Sequence, residues 1–459
     1  MKSDLWVRGG QVVIPRHGVC AMDVVIHQGK VFGVLAPGQR PDASRVLDVS
    51  EKIVLPGIVD AHTHITIGLG ETGYETETRS ASLGGVTTTL SYLLDPGNLA
   101  QALEREIATG QERACSDFGL HPCIMTDVQI KALAKVIDRF HVPSFKFFMV
   151  YRGEEGAHLG IPGNDDGFLL KLLRTAATLP GVIPCVHAEN VELFWMLRPE
   201  VERDGEGSLK DWERSRPDFV EADATQRVLY LAEKVDSPLY VVHVTCREAL
   251  NMVRRAKVRR PGKVFAETCI HYLTLTCETA PSPAGKISPP LRHPDDVESL
   301  WEGVADGTID VIASDHVPRH YTAKEGDIWQ ASSGFPGIAT LVPILLTEGV
   351  KRGLPLEVLV EKITTAPATI FGLAPSKGSF IPRSDGDLTV VDPVTPVEIA
   401  ATRLASAAEY TPYEGHVVKY VPTYTVIRGN VVVDNGQFVG KSGFGTYIPR
   451  NRYMSRSGI

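Results

Sequence analysis

The sequence predicts a (β/α)8 TIM barrel with a small β-sandwich domain formed by both termini. Three observations predict it. Eight apolar strand-like runs alternate with helix-like segments through the middle of the 459-residue chain, the pattern of a barrel rather than of a doubly wound sheet. Both ends read as short strands joined by turns. Residues able to hold a metal recur at the C-terminal ends of the apolar runs, the face on which barrels build their active sites.

At the N-terminus, Asp23–His27 and Lys30–Val34 flank Gln28-Gly29, a hairpin signal. At the C-terminus, Tyr424–Ile427 and Val431–Val433 flank Gly429-Asn430, and Asn435-Gly436 turns the chain again. The expected division is residues 1–54 and 374–459 for the β-rich domain and its tail, with the barrel at 55–373. The eight barrel runs are Gly57–Ala61, Val86–Leu93, Phe118–Met125, Ser144–Tyr151, Val182–His187, Leu239–Val244, Lys263–Tyr272 and Ile309–Ser314. Between them, Ile130, Leu133, Val136, Ile137 and Phe140 follow helical spacing, as do Val228, Leu231, Ala232 and Val235. Asp295-Asp296 marks an acidic first turn, and a further helix is expected through Thr340–Val350.

A hydrophobic share of 43%, 22% charged residues and a net charge of −8 without long runs of one sign describe an ordinary globular protein. No basic stripe points to nucleic acid, and no run is apolar and long enough to suggest a membrane span. Seven cysteines, an odd number without a C-x-x-C pair, argue against a disulfide framework or a cysteine zinc site. With no apolar signal core after Met1, the expected setting is the reducing cytoplasm.

The chemistry begins at Asp60-Ala61-His62-Thr63-His64. Histidines two apart on a strand point to one face and can reach one metal, although an isolated H-x-H is as readily a pair of loop histidines. The fifth run ends in His187-Ala188-Glu189-Asn190, the sixth carries His243, and the eighth ends in Ser314-Asp315-His316. One such histidine is usually structural; four of them and an aspartate at strand ends of one face form a constellation. The fourth run adds Lys146 between Phe145 and Phe147. A charged amine buried there is costly, and an ammonium has no lone pair for a metal. Reaction with CO₂ would make it an anionic carbamate able to bridge two cations. A lysine snorkelling from a strand end is the competing reading.

The chain resembles the amidohydrolase superfamily, in its dihydropyrimidinase, hydantoinase and allantoinase branch of cyclic amidohydrolases. The resemblance covers nearly the whole chain and rests on Pro56–His64, Phe145-Lys146 with Tyr151 five residues on, His187–Asn190, Ser288-Pro289-Pro290-Leu291-Arg292 and Ser314-Asp315-His316. It implies two divalent metal ions, with zinc the usual metal. His62, His64 and Asp315 would hold one ion, His187 and His243 the other, and Lys146, as N6-carboxylysine, would span them. The implied reaction is hydrolysis of a cyclic amide, a hydantoin, dihydropyrimidine or related cyclic imide or ureide, by a hydroxide bridging the two ions. Asp315 would move the proton, and Tyr151 would donate to the oxyanion. Ser288 matches a substrate-contacting residue. Ser333, in Ser333-Gly334-Phe335-Pro336-Gly337, stands where hydantoinases carry an asparagine whose contact uses main chain. A homotetramer is implied as well.

Allantoinase is the runner-up: Glu348 and Ile328-Trp329 resemble allantoinases, whereas Phe148–Gly153 resembles hydantoinases more strongly. Dihydroorotase ranks lower, because Thr66 stands where that family places a carboxylate-binding arginine; a strongly anionic ring is therefore not expected. A non-catalytic assembly relative ranks lower still, since all six ligand positions are filled. By loop position, Leu69, Leu93, Phe148 and Phe335 are expected to line an apolar substituent pocket. His271 is expected behind the site, His316 and His320 on loops, and Trp195 and Trp301 packed on helices.

Overall fold

The computed structural model describes residues 2–157 and 163–454. Eight parallel barrel strands follow one another as Ile58–Thr63, Val86–Leu93, Asp117–Pro122, Ser144–Phe148, Ile183–His187, Leu239–Val241, Val264–Cys269 and Val311–Ala313. The first three pair in order and the last five pair in order. Bridges Cys123↔Lys146 and Thr63↔His316 join the two sets, so the eighth strand meets the first and the barrel closes. Each expected run overlaps one of these strands. Most stop short of the expected C-terminal end, because the chain leaves the sheet at the barrel mouth and delivers side chains from irregular backbone. Tyr151 and His243 therefore lie beyond their strands.

Helices cover the outside by burying one apolar face. The helix Asp127–Phe140 starts at a capping box, Thr126 with Gln129, and buries Ile130, Leu133, Val136, Ile137 and Phe140, the five residues whose spacing predicted it. Asp218–Lys234 buries Val228, Leu229 and Ala232 and stops one residue before Val235. Pro294–Ala305 carries Asp295 and Asp296 in its first turn, where the helix dipole favours negative charge. Leu341–Lys351 is the helix expected after the eighth strand.

The termini meet in one nine-stranded sheet. Strand Ile53–Pro56, just ahead of the barrel, pairs antiparallel with Leu388–Asp392, just after it. Both central residues of the Gln28-Gly29 turn have positive φ, 52° and 71°, as a tight two-residue hairpin needs. At the other hairpin the turn is Arg428-Gly429, one residue earlier than expected, with Ile427 opposite Asn430. Leu5, Val7, Ile26, Val54, Leu388 and Val426 pack together as this sheet's own core.

A buried ion cluster joins sheet to barrel. Lys377 Nζ donates to Asp117 on the third barrel strand at 2.6 Å and to Asp387 at 2.7 Å, with Asp385 at 3.0 Å. Arg428 also pairs with Asp117, and Lys30 with Asp385. Three aspartates so close together could attract a metal ion, but the lysine ammonium already occupies their centre. Among the described residues, no helix is long and apolar enough to cross a membrane.

Candidate active site

The loop that returns from the first barrel strand turns tightly: a β-carbon on Gly73 would lie 1.9 Å from the Ile65 carbonyl. Just before this turn His64, one residue past its strand, is tied by its amide to the His316 carbonyl at 2.8 Å. His62 Nε2 lies 3.1 Å and His64 Nε2 3.3 Å from the same oxygen of Asp315. His62, His64 and Asp315 thus form a buried group that could hold a cation, with donor atoms within 4.8 Å of one another. His243 stands with its ring 5.5 Å from that of His62 and 4.5 Å from that of His187. His243 and Asp315 have positive φ, 37° and 45°, a conformation non-glycine residues adopt at a cost. At both positions the chain turns sharply out of the sheet and presents a ligand-type side chain to the mouth.

Lys146 completes the six. It is fully buried, its Nζ has no hydrogen-bond partner, and the rings of Tyr92 and Phe148 lie 4.5 and 5.1 Å from it. Burial pushes its ammonium below the ordinary lysine range, although Asp315 and Glu267 oppose the shift. A neutral amine with a free lone pair is the form that captures CO₂.

The remaining charges also suit bound cations. Burial works against a protonated His62, yet Asp315 and Glu267 outweigh it and hold that imidazole above its ordinary value. Burial likewise opposes the Asp315 carboxylate, but His62 and His64 keep it well below the usual range. His64 is pushed down to about 4, chiefly by burial, and burial holds His187 and His243 down as well. The neutral imidazoles of His64, His187 and His243 and an ionised carboxylate are donors for divalent metal, and His62 would give up a proton on joining them. Glu267 Oε1 takes His62 Nδ1 at 2.6 Å and Glu189 Oε2 takes His187 Nε2 at 2.6 Å. Each carboxylate directs the proton to that nitrogen and leaves the other lone pair for a metal, the usual support of a metal-binding histidine. Arg216 reaches both oxygens of Glu189 at 3.2 Å.

A cavity opens in front of these groups, lined by Tyr151, Ser288, Ser333 and Arg319 among others. Ser288 Oγ and Ser333 Oγ lie 3.1 Å apart, so the two expected substrate contacts share one wall. The Tyr151 ring is 5.7 Å from that of His187, and burial raises its phenol, which stays a donor.

Several expectations change. Phe148 lines the cavity, but Leu69, Leu93 and Phe335 do not; Ile67, Leu94, Ile287 and Val317 supply the apolar wall. Leu93 and Phe335 instead turn into the core. His316 is no free loop histidine: it is fully buried, 2.9 Å from Glu77, and accepts from the Gly337 amide at 3.0 Å. His320 is exposed, as expected. His271 is buried beside Asp315 with neither ring nitrogen bonded. Trp301 packs on its helix and donates to the Leu273 carbonyl at 2.8 Å, whereas Trp195 is partly exposed. Sequence reasoning gave no role to Glu267, Glu189, Arg216 or Arg319. Glu267 alone carried a signal of the kind that marked Lys146, a charge inside an apolar strand.

The architecture and the site are those of a barrel hydrolase. Residues 243–432 match the amidohydrolase family model. The chain is 34% identical to a D-hydantoinase of Ralstonia pickettii over 98% of this chain and 99% of that one. It is 31% identical to an L-hydantoinase of Paenarthrobacter aurescens, over 96% and 97%. A solved dihydropyrimidinase from Brevibacillus agri superposes with a TM-score of 0.90 at 30% identity, covering 98% of this chain and 99% of that one. The chain belongs to the amidohydrolase family, in its hydantoinase and dihydropyrimidinase branch, and is a hydrolase of that cyclic-amide class.

Proposed function

We propose that this chain opens a hydantoin, a dihydropyrimidine or a related cyclic imide or ureide at its C–N bond, using two divalent ions, with zinc as the metal. His62, His64 and Asp315 would hold one ion, His187 and His243 the other, and Lys146, carboxylated on Nζ, would join them. The observation that carries the reading is Lys146: a buried amine without a hydrogen-bond partner, in electrostatic reach of the five other ligand-type side chains. As the bridging carbamate it gains the ligands its surroundings otherwise lack.

Bound there, the ions supply Lewis acidity and an activated water. The chain's own groups do the rest. Asp315 accepts a proton as water adds to the ring carbonyl, then returns it to the departing nitrogen. The Tyr151 phenol donates to the carbonyl oxygen as negative charge grows on it. Ser288 and Ser333, on the facing wall, hold the ring amide. The atoms of one water are divided between a new carboxylate and a new N–H. A homotetrameric, cytoplasmic enzyme divided after residues 54 and 373 belongs to the same proposal and rests on the resemblance and the strand pattern.

A turnover panel of hydantoin, 5-substituted hydantoins, dihydrouracil, allantoin, dihydroorotate and simple cyclic imides, run with metal analysis, tests the reading. The expected result is about two ions per chain, ring opening of a hydantoin or dihydropyrimidine, loss of turnover on chelation and recovery with zinc, manganese or cobalt. Full activity in a verified metal-free preparation, or opening of none of these rings, overturns it; turnover confined to allantoin selects allantoinase within it.

A further inference from the structure

The cavity wall carries a cation that no described residue pairs with. Arg319 lies four residues beyond Asp315 and shares the cavity with Tyr151 and Ser288. Its Nε is buried without a hydrogen-bond partner, and among the described residues no carboxylate lies within ion-pair distance of its guanidinium. The groups of opposite sign that act on it are the phenols of Tyr151 and Tyr410. Burial raises both phenols, so both are uncharged at neutral pH.

Other buried arginines show what is usual in this protein. Arg216 pairs with Glu189 and Glu155, and Arg292 with Glu213 and Glu221. Arg450 donates to the Leu120 carbonyl and to Ser144. Arg216 and Arg450 also leave Nε unbonded, but their terminal nitrogens are paired, whereas those of Arg319 reach no described residue. The neighbouring Lys324 offers it no anion either. Lys324 donates only to the carbonyls of Lys286 and Ser332, at 2.9 and 2.7 Å. Arg319 is thus the cation on this side of the cavity, and leaving a half-buried guanidinium unpaired is costly unless a ligand completes it.

We propose that Arg319 is a specificity residue that pairs with a carboxylate on the substituent of the cyclic amide. The inference rests on the cyclic-amide reading and narrows it. A planar guanidinium matches a carboxylate through two parallel N–H···O bonds, and the cavity places it on the same wall system as the ring contacts at Ser288 and Ser333. Thr66, on the loop after the first strand, argued against an anionic ring; Arg319 supplies a cation from the loop after the eighth. For a hydantoin, hydrolysis would then yield an N-carbamoyl amino acid with a second carboxylate.

The test uses the metal-loaded full chain and two substrates that differ only in charge, hydantoin-5-propionate and its carboxamide. The expected result is a preference for the acid of about ten- to a hundredfold in kcat/KM, the range of a charge-assisted hydrogen bond, expressed mainly in KM. Arg319→Gln should remove most of that preference with metal content unchanged. Arg319→Lys, which keeps charge without the fork, should retain part of it. Calorimetric binding of N-carbamoylglutamate against N-carbamoylglutamine, in the parent and both variants, reads the same preference without turnover. Equal use of acid and amide by the parent, or an equal loss on both in Arg319→Gln, overturns the role of Arg319. Should no cyclic amide be opened, the reaction assignment fails and the binding comparison decides: an Arg319-dependent preference for the diacid sustains the anion site, and its absence overturns it.

Discussion

Glu267 accepts a 2.6 Å hydrogen bond from Nδ1 of His62, and both residues are buried. The same carboxylate takes the His243 amide at 3.2 Å and the Tyr240 hydroxyl at 2.8 Å. One side chain on the seventh strand thus orients a histidine from the first strand and the backbone of another from the sixth. Glu267→Gln keeps the shape but can offer its NH₂ to the position where His62 needs an acceptor. Metal affinity is expected to fall about 10- to 100-fold, measured by competition with a chelator of known affinity. Unchanged affinity would show that the bond only fills space.

Lys146→Ala is expected to abolish turnover while leaving the fold intact, because it removes the shared anion and the two cations then repel each other. The far-ultraviolet circular dichroism should match the parent. A short carboxylic acid added with metal should restore part of the activity by standing in for the carbamate. A high-resolution structure with two fully occupied ions beside an unmodified Lys146 amine would refute the assignment.

Asp315 and Tyr151 separate by what they lose. Asp315→Asn keeps its outline but cannot take a proton, and should leave almost no turnover. Tyr151→Phe deletes one donor to the developing oxyanion, which typically costs about 10²–10³ in kcat. Metal content should be unchanged in Tyr151→Phe, because the phenol is not among the proposed ligands. A raised KM with normal kcat would instead make Tyr151 a ground-state contact.

Lys377 holds the barrel to the terminal sheet through Asp117 and Asp387. Lys377→Met leaves Asp387 buried without its cation and Asp117 with Arg428 alone, at an expected cost of about 3–5 kcal/mol, read as a lower urea midpoint. Burial opposes the Lys377 ammonium, but Asp387 and Asp385 raise it above the ordinary value of 10.5. The stabilisation is therefore fully present below that value and lost as pH rises through the higher folded one. Parent and variant should converge in stability only in strong alkali; convergence near neutral pH would remove the ion cluster from the account.

The strand pattern and the ligand-type residues at strand ends were legible in the sequence, because period, apolarity and spacing are local properties. The barrel, the hairpins and the gathering of His62, His64, Lys146, His187, His243 and Asp315 at one mouth follow from them. Strand ends were less legible: Tyr151 and His243 leave the sheet early, and nothing local marks where a strand stops pairing. What only the tertiary structure decided is which distant groups stand opposite one another. His316 looked like a loop residue until Glu77, 239 positions away, came to lie beside it. Lys377 drew no reading from the sequence, yet three aspartates surround it. Arg319 drew no reading either, and the folded chain brings it to the cavity without a carboxylate from any described residue. The physical reason is common to all three. The worth of a charge depends on its burial and on its partners, and both are set by segments far away in the sequence.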